Sequence, residues 1–424
     1  MGYGHLRPAR ALSKLLNVPV LQADLPPLAD IEERRRWAAI RQFYETVSRV
    51  STARYVGGPF RLLLDTVTAI PDLYPFRDLS SRTLSVRALE HSARQGLGRS
   101  MVAYLQERNS PLLTTFYSPA LFADFHGYDR IYCVVTDSVI NRIWAPLSPG
   151  QSKIHYFAPS GRVVRRLRAY GVPKDQIELT GYPLPHALLG GPDLGVLKKN
   201  LLARLVRLDP KGVFRHQYAL ELQATGPLPT HNDAPHLAFA VGGAGAQANL
   251  PALFLPSLRP ALQEGKLRLT LIAGSKVEVR NTFESAVRRS GMSHLLGDRV
   301  CILFEPRVED YLDAFDALLA GVDILWTKPS ELTFYGGLGI ALVLAPPVGT
   351  HEKFNRQWAR ENGAGLKQRD PRLAGEWLRE WLHDGTLAAA AWAGHKRLPS
   401  RGLYRIAERL GTSRGRLRRL TAAE

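Results

Sequence analysis

The run from Asp323 to Glu331, continued to Asn355, holds the residues whose types and spacing best suit ligand chemistry. Asp323 to Trp326 reads as a short buried strand. Lys328-Pro-Ser-Glu331 reads as a turn into a helix, with Ser330 as its N-cap and Glu331 in the first turn. Gly336, Gly337 and Gly339 close that helix, Ile340 to Leu344 forms the next strand, and after the loop Pro346 to Gly349 a second helix starts near His351. A carboxylate at the mouth of a strand–helix unit lies where α/β sheets bind ligands. There it can accept two hydrogen bonds from a vicinal diol such as that of a ribose. The same carboxylate would also stabilise a helix N-terminus by charge alone, and spacing gives the two roles equal weight.

Two further segments could serve the same chemistry. His236 to Val241 reads as a buried strand, and Gly242-Gly-Ala-Gly-Ala-Gln247 follows it. Such small residues let backbone amides approach a diphosphate. No Lys-Ser/Thr follows these glycines, which argues against a P-loop ATPase. At the start of the chain, Gly2-Tyr-Gly-His5 is a glycine-rich turn feeding a helix to about Asn17. Asp137 ends an apolar strand that begins at Arg130, again at the ligand-facing edge. An aspartate beside His5 would orient the imidazole and raise its basicity.

Ser330-Glu331, the Gly-rich helix end, the apolar strand and His351-Glu352-x-x-Asn355 resemble the donor-sugar signature of GT-B glycosyltransferases. Among these the chain resembles the lipid-linked GlcNAc transferase of peptidoglycan synthesis and monogalactosyldiacylglycerol synthase. The segment from His155 to Pro183 is similar to the end of the first GT-B domain, and Val135-Thr-Asp137 is similar to an element of the galactolipid synthases. Val308 to Leu312 resembles the segment that packs beside the base. The resemblance runs from residue 2 to about 395 and is specific at 154–183, 241–247 and 326–355.

The resemblance implies a fold of two Rossmann-like doubly wound parallel-sheet α/β domains facing each other across a cleft. It implies a UDP-sugar donor and a lipid or membrane-associated acceptor hydroxyl. Gly243, Ala244, Gly245, Ala246 and Gln247 would contact the diphosphate. Ser330 and Glu331 would serve the ribose, and His351, Glu352 and Asn355 would line the sugar pocket. His5, with Asp137, would deprotonate the acceptor. His351-Glu352 stands where the family often has Asp-Gln or Gln-Gln, which leaves the sugar open. No acidic pair with metal spacing stands out, so no cofactor is expected, and amides and basic side chains would neutralise the leaving diphosphate.

The elements that must position these residues follow from length and pattern. A chain of 424 residues suggests two domains. They are placed at residues 1–186 and 236–395, with a linker at 187–235 and a basic C-terminal helix and tail at 396–424. Because the chain begins at the glycine turn, the first strand of the first domain is expected to lie upstream of Met1. Val18 to Asp24 and Leu112 to Phe116 read as strands, and Ile31 to Val50, Gly58 to Ala69 and Arg82 to Leu105 as helices. In the linker, Leu197, Leu201, Leu205 and Leu208 form an apolar stripe with Lys198, Lys199, Arg204 and Arg207 off it. Disorder is expected beyond about Gly411.

No apolar run approaches the roughly 20 residues of a membrane span. The N-terminus has no signal-peptide h-region, and the two cysteines lie in apolar runs as buried thiols do, which fits a cytoplasmic protein peripheral on the inner face of the membrane. A net charge of +18 calls for an anionic partner. An anionic membrane surface ranks first, with Arg34-Arg35-Arg36-Trp37 and the C-terminal arginines as its contacts. Nucleic acid ranks second, since no zinc-finger or RNP-type pattern is present. Two alternative functions therefore stay open: a sugar-nucleotide epimerase of GT-B fold, and a non-enzymatic nucleic-acid-binding protein.

Overall fold

The computed structural model describes residues 2–52, 70–75, 78–230, 233–242, 245 and 247–412, with the side chains of 43–52 and 412 left aside. The expected helix Gly58 to Ala69 and the tail beyond 412 lie outside the described residues. By internal contacts the chain forms two compact units. One, the C-terminal unit, comprises Met1–Arg7 and Pro183–Tyr404; the other, the N-terminal unit, comprises Pro8–Tyr182 and Arg405–Glu424. Residues 187–235, expected to be a linker, thus fall within the C-terminal unit.

The N-terminal unit holds a parallel sheet of β1 (Leu112–Thr114), β2 (Ile131–Val134), β3 (Ile154–Ala158) and β4 (Ile177–Leu179), in that order. Among the described residues β1 is an edge strand of this sheet. Val18 to Asp24 is not a strand: Val18, Val20 and Leu21 are exposed. Pro19 interrupts the run and has no amide to give a ladder. The helix expected from Arg82 to Leu105 is two helices, Leu84–Arg94 and Arg99–Glu107. Gly98 divides them with φ 90°, and a β-carbon there would lie 2.6 Å from Phe122 Cβ. Trp37 is half-buried and packs edge-on against Phe122, ring centroids 5.6 Å apart.

The C-terminal unit holds six parallel strands, β5 (His236–Ala240), β6 (Arg268–Gly274), β7 (Val300–Phe304), β8 (Ile324–Thr327), β9 (Ala341–Leu344) and β10 (Gly365–Lys367). Their order is β10-β9-β8-β5-β6-β7. In such a doubly wound sheet the chain reverses its direction of travel, here between β5 and β8, and a crevice opens at that switch point. Both units are therefore Rossmann-like α/β sheets, as expected. β8 and β9 are buried throughout because helices cover both faces of such a sheet. Trp326 of β8 stacks on Phe254 at 4.6 Å and donates its indole N–H to Gln368 Oε1 at 2.8 Å.

The helix Gly195–Leu208 buries Leu197, Leu201, Leu205 and Leu208, as its stripe predicts. Its arginines are not a solvated face. Arg204 is 1% exposed and donates to the carbonyls of Val322, Leu338, Leu319 and Ala320 at 2.6–3.3 Å. Two of these close the helix Val308–Leu319, whose last carbonyls have no partner within the helix. Arg207 grips the fully buried Asp323 carboxylate with Nε and Nη2, and Asp323 also accepts the His236 amide at 2.8 Å. Desolvation pulls the Arg204 pKa down to about 10, which leaves it charged at neutral pH. These bonds fasten the N-terminal ends of β5 and β8, opposite the edge where ligands bind.

Candidate functional site

At the carboxyl edge of the six-stranded sheet, the turns after β5, β8 and β9 converge at the β5/β8 switch point. After β5, the Gly245 amide donates to Gly242 O at 2.7 Å. Gly245 and Gln247 both hold left-handed φ values, 78° and 69°. Gly245 tolerates this freely, whereas a glutamine rarely does. Gln247 is held by its side-chain amide, which donates to Pro346 O at 2.7 Å in the turn after β9. Gln247 thus ties two turns together, and its side chain is engaged there. Gly243, Ala244 and Ala246 lie outside the described residues.

The turn after β8 brings Lys328 over this glycine turn. A β-carbon on Gly242 would overlap Lys328 Cε and lie 2.9 Å from its Nζ, so the missing side chain at 242 makes room for the lysine. Lys328 Nζ forms an ion pair with Glu352 Oε1, and Glu352 Oε2 accepts the Val348 amide at 2.7 Å. Glu352 stands in the first turn of the helix Thr350–Glu361, one residue after His351, whose Nδ1 is buried with no hydrogen-bond partner among the described residues. Asn355, one turn on, is 1% exposed. A β-carbon built on Gly245 would lie 3.2 Å from Val279 Cγ2 and 4.0 Å from Cδ of Lys276, the residue before the helix Val277–Arg289.

Ser330 caps the 3-10 helix Glu331–Leu338 by accepting the Leu332 amide, and Gly339 closes it with φ 71°. The sequence predicts that helix, including its cap and glycine stop. Glu331 meets the first turn of the helix Tyr3–Leu16. Its Oε1 lies 3.4 Å from Arg7 Nε, and a β-carbon on Gly4 would be 3.1 Å from Oε2. Gly4 and Arg7, three apart, share the helix face that receives the carboxylate. Arg7 is buried, donates to Tyr311 Oη at 2.8 Å and lies 3.7 Å over the Phe315 ring. Desolvation opposes its charge, but Tyr311, Tyr335 and Glu331 outweigh that and hold its pKa above the ordinary value. Tyr3 completes the contact, with its hydroxyl 2.7 Å from Ser275 Oγ and its ring 5.0 Å from Tyr311.

Ser330, Glu331, Gly245, Gln247, His351, Glu352 and Asn355 are therefore gathered on one unit, and His5 falls with them, one residue from Gly4. Asp137, in the loop after β2, belongs to the other unit. Sequence reasoning passes over Lys328, Lys276 and Arg7. Lys328 lies between Asp323 and Glu331, inside the stretch with the strongest ligand signal, and Lys276 follows the end of β6 by two residues. Arg7 carries the signal of helical spacing from Gly4.

No family model matches the chain, and no curated protein matches it. Solved structures do show similarity. The UDP-GlcNAc 2-epimerase of Neisseria meningitidis bound to UDP-GlcNAc is 13% identical with a TM-score of 0.47, over 84% of this chain and 89% of that one. MurG of Acinetobacter baumannii is 15% identical with a TM-score of 0.41, over 96% of each chain. The glycosyltransferase SnogD of Streptomyces nogalater is 14% identical with a TM-score of 0.41, over 81% of this chain and 85% of that one. At such low identities and scores the likeness carries no chemistry, and a function for this chain has to come from its own residues.

Proposed function

We propose that the chain is a GT-B glycosyltransferase that moves a sugar from a UDP-sugar to the hydroxyl of a lipid or membrane-associated acceptor. The observation that carries this is a glycine turn at the β5/β8 switch point with two lysine stems against it, Lys328 at Gly242 and Lys276 at Gly245. Amides of the turn from Gly243 to Gln247 and the two ammonium groups would neutralise the diphosphate as it leaves. Glu331, steadied through Oε1 by Arg7, would accept from the ribose diol through Oε2, with Ser330 ordering the turn. His351, Glu352 and Asn355 would line the sugar side. His5 would take the acceptor proton as the oxygen attacks the anomeric carbon.

A transfer assay tests this, with UDP-sugars offered to the protein together with lipid vesicles. Sugar incorporated into lipid supports the proposal. Interconversion of the UDP-sugar itself, with no acceptor, would instead mark the epimerase.

Glu331→Gln keeps the side-chain shape but removes the charge that serves both Arg7 and the ribose. Nucleotide affinity should fall by about 1–3 kcal/mol, the scale for a lost hydrogen bond to a charged group. Calorimetric titration of UDP into the variant measures it, and unchanged affinity would sink the role given to Glu331.

Membrane association draws on the net charge of +18 and on exposed apolar residues beside arginines. Val18, Val20, Leu21, Leu25 and Ile31 are exposed and precede Arg34 and Arg35, which are exposed too. No helix among the described residues is long and apolar enough to cross a membrane. Binding should therefore be peripheral. Co-sedimentation with vesicles should require anionic lipid and fade as salt rises, since each near-surface cation contributes about 1 kcal/mol. Equal binding to neutral vesicles, or tighter binding to DNA at matched salt, would contradict it.

A further inference from the structure

Lys328 is engaged by groups of the protein itself. Its ammonium pairs with Glu352 Oε1, while its stem lies on Gly242. Both side chains are largely buried, at 19% and 14% exposed, so the pair is only partly screened by solvent. Glu352 Oε2 holds the Val348 amide, and the same turn offers Pro346 O to Gln247. The contacts close a ring that runs from Gly242 to Lys328, Glu352, the 346–348 turn, Gln247 and back to the glycine turn. In this ring Glu352 occupies the cation that a phosphate would need, and Lys328 occupies the carboxylate that a sugar hydroxyl would need.

We infer that the Lys328–Glu352 pair is an exchange switch coupling the phosphate and sugar halves of the donor site. This deepens, and rests on, the proposed nucleotide-sugar function. A diphosphate arriving over Gly242 competes with Glu352 for the Lys328 ammonium. Once displaced, the Glu352 carboxylate is free to accept a hydroxyl of the sugar that the diphosphate carries. The turn after β9 is loosened from Glu352 in the same step, because the Val348 amide shares that carboxylate. The sugar contact is then made only when a phosphate is in place, and a free sugar meets a carboxylate that is already paired.

The two partners of the pair therefore act on phosphate binding with opposite signs, and the exchange further ties the gain from a sugar to Glu352. Titration calorimetry with inorganic pyrophosphate, UDP and a panel of UDP-sugars tests this on wild type, Glu352→Gln and Lys328→Met. Glu352→Gln should tighten pyrophosphate and UDP about tenfold by freeing the lysine, and Lys328→Met should weaken them by a similar factor. In Glu352→Gln the advantage of a UDP-sugar over UDP should disappear. Weaker or unchanged pyrophosphate and UDP binding in Glu352→Gln overturns the switch and leaves the proposed function standing. The opposite-sign pattern with pyrophosphate, but no gain from adding uridine, keeps the exchange of Lys328 between Glu352 and phosphate and overturns the nucleotide-sugar function with its coupling to a sugar. No binding of any probe to any of the three proteins overturns both.

Discussion

Replacing His5 with alanine is expected to lower turnover by about two to four decades, the range for loss of a general base, while UDP affinity stays nearly intact. His5 lies in the first turn of the helix Tyr3–Leu16, and its amide donates to Gly2 O at 3.2 Å. Its neighbour Gly4 is pressed against Glu331, so the imidazole is carried on the segment that meets Glu331. The alanine variant keeps Gly4 and Arg7 and hence that docking. Steady-state kinetics beside calorimetric UDP titration separates the outcomes. Loss of UDP binding in step with turnover would make His5 a positioning residue, and unchanged turnover would remove it from the mechanism.

Arg204→Met should produce the largest loss of stability, about 3–5 kcal/mol, since each stranded buried acceptor costs about 1–3 kcal/mol and four share this donor. Methionine fills much of the same volume but leaves four carbonyls, from Leu319, Ala320, Val322 and Leu338, without their shared donor. Stranding buried acceptors costs more than the net worth of the bonds themselves. Urea unfolding should show a lower midpoint, and the folded variant should still bind UDP, because Arg204 works at the edge of the sheet away from the site. A loss below about 1 kcal/mol would show that water or backbone movement satisfies those carbonyls, a small change typical of exposed positions.

Apolar runs make strands of the C-terminal unit legible: β5, His236–Ala240, falls within its expected run, His236 to Val241. Buried parallel strands are continuous apolar runs, so sequence alone finds them. Val18 to Asp24 looks alike locally but has no partner strand, and pairing is what makes a strand. Arg204 reads as solvent-facing in the sequence, although it stands three residues from Leu201 and so shares the buried face. Charge conceals its place, because the carbonyls that satisfy it are more than a hundred residues away. Lys328 is hidden differently: only the neighbour relation of β5 and β8 puts it on Gly242. The site's residue types can be read from the sequence, but the pairings Lys328–Glu352 and Arg7–Glu331 require the fold.

Ligand-induced stabilisation by nucleoside diphosphates tests the central claim most directly. UDP, GDP, TDP and CDP would be titrated while the melting temperature is followed, with Lys328→Met as the control. A ligand at 100 times its dissociation constant should add roughly 2.7 kcal/mol of stability. UDP is expected to raise Tm more than the other three, and the rise should shrink in Lys328→Met. A Tm that no nucleoside diphosphate moves, in a protein that is folded and otherwise unchanged, would contradict the assignment of a nucleotide-sugar site to the β5/β8 switch point.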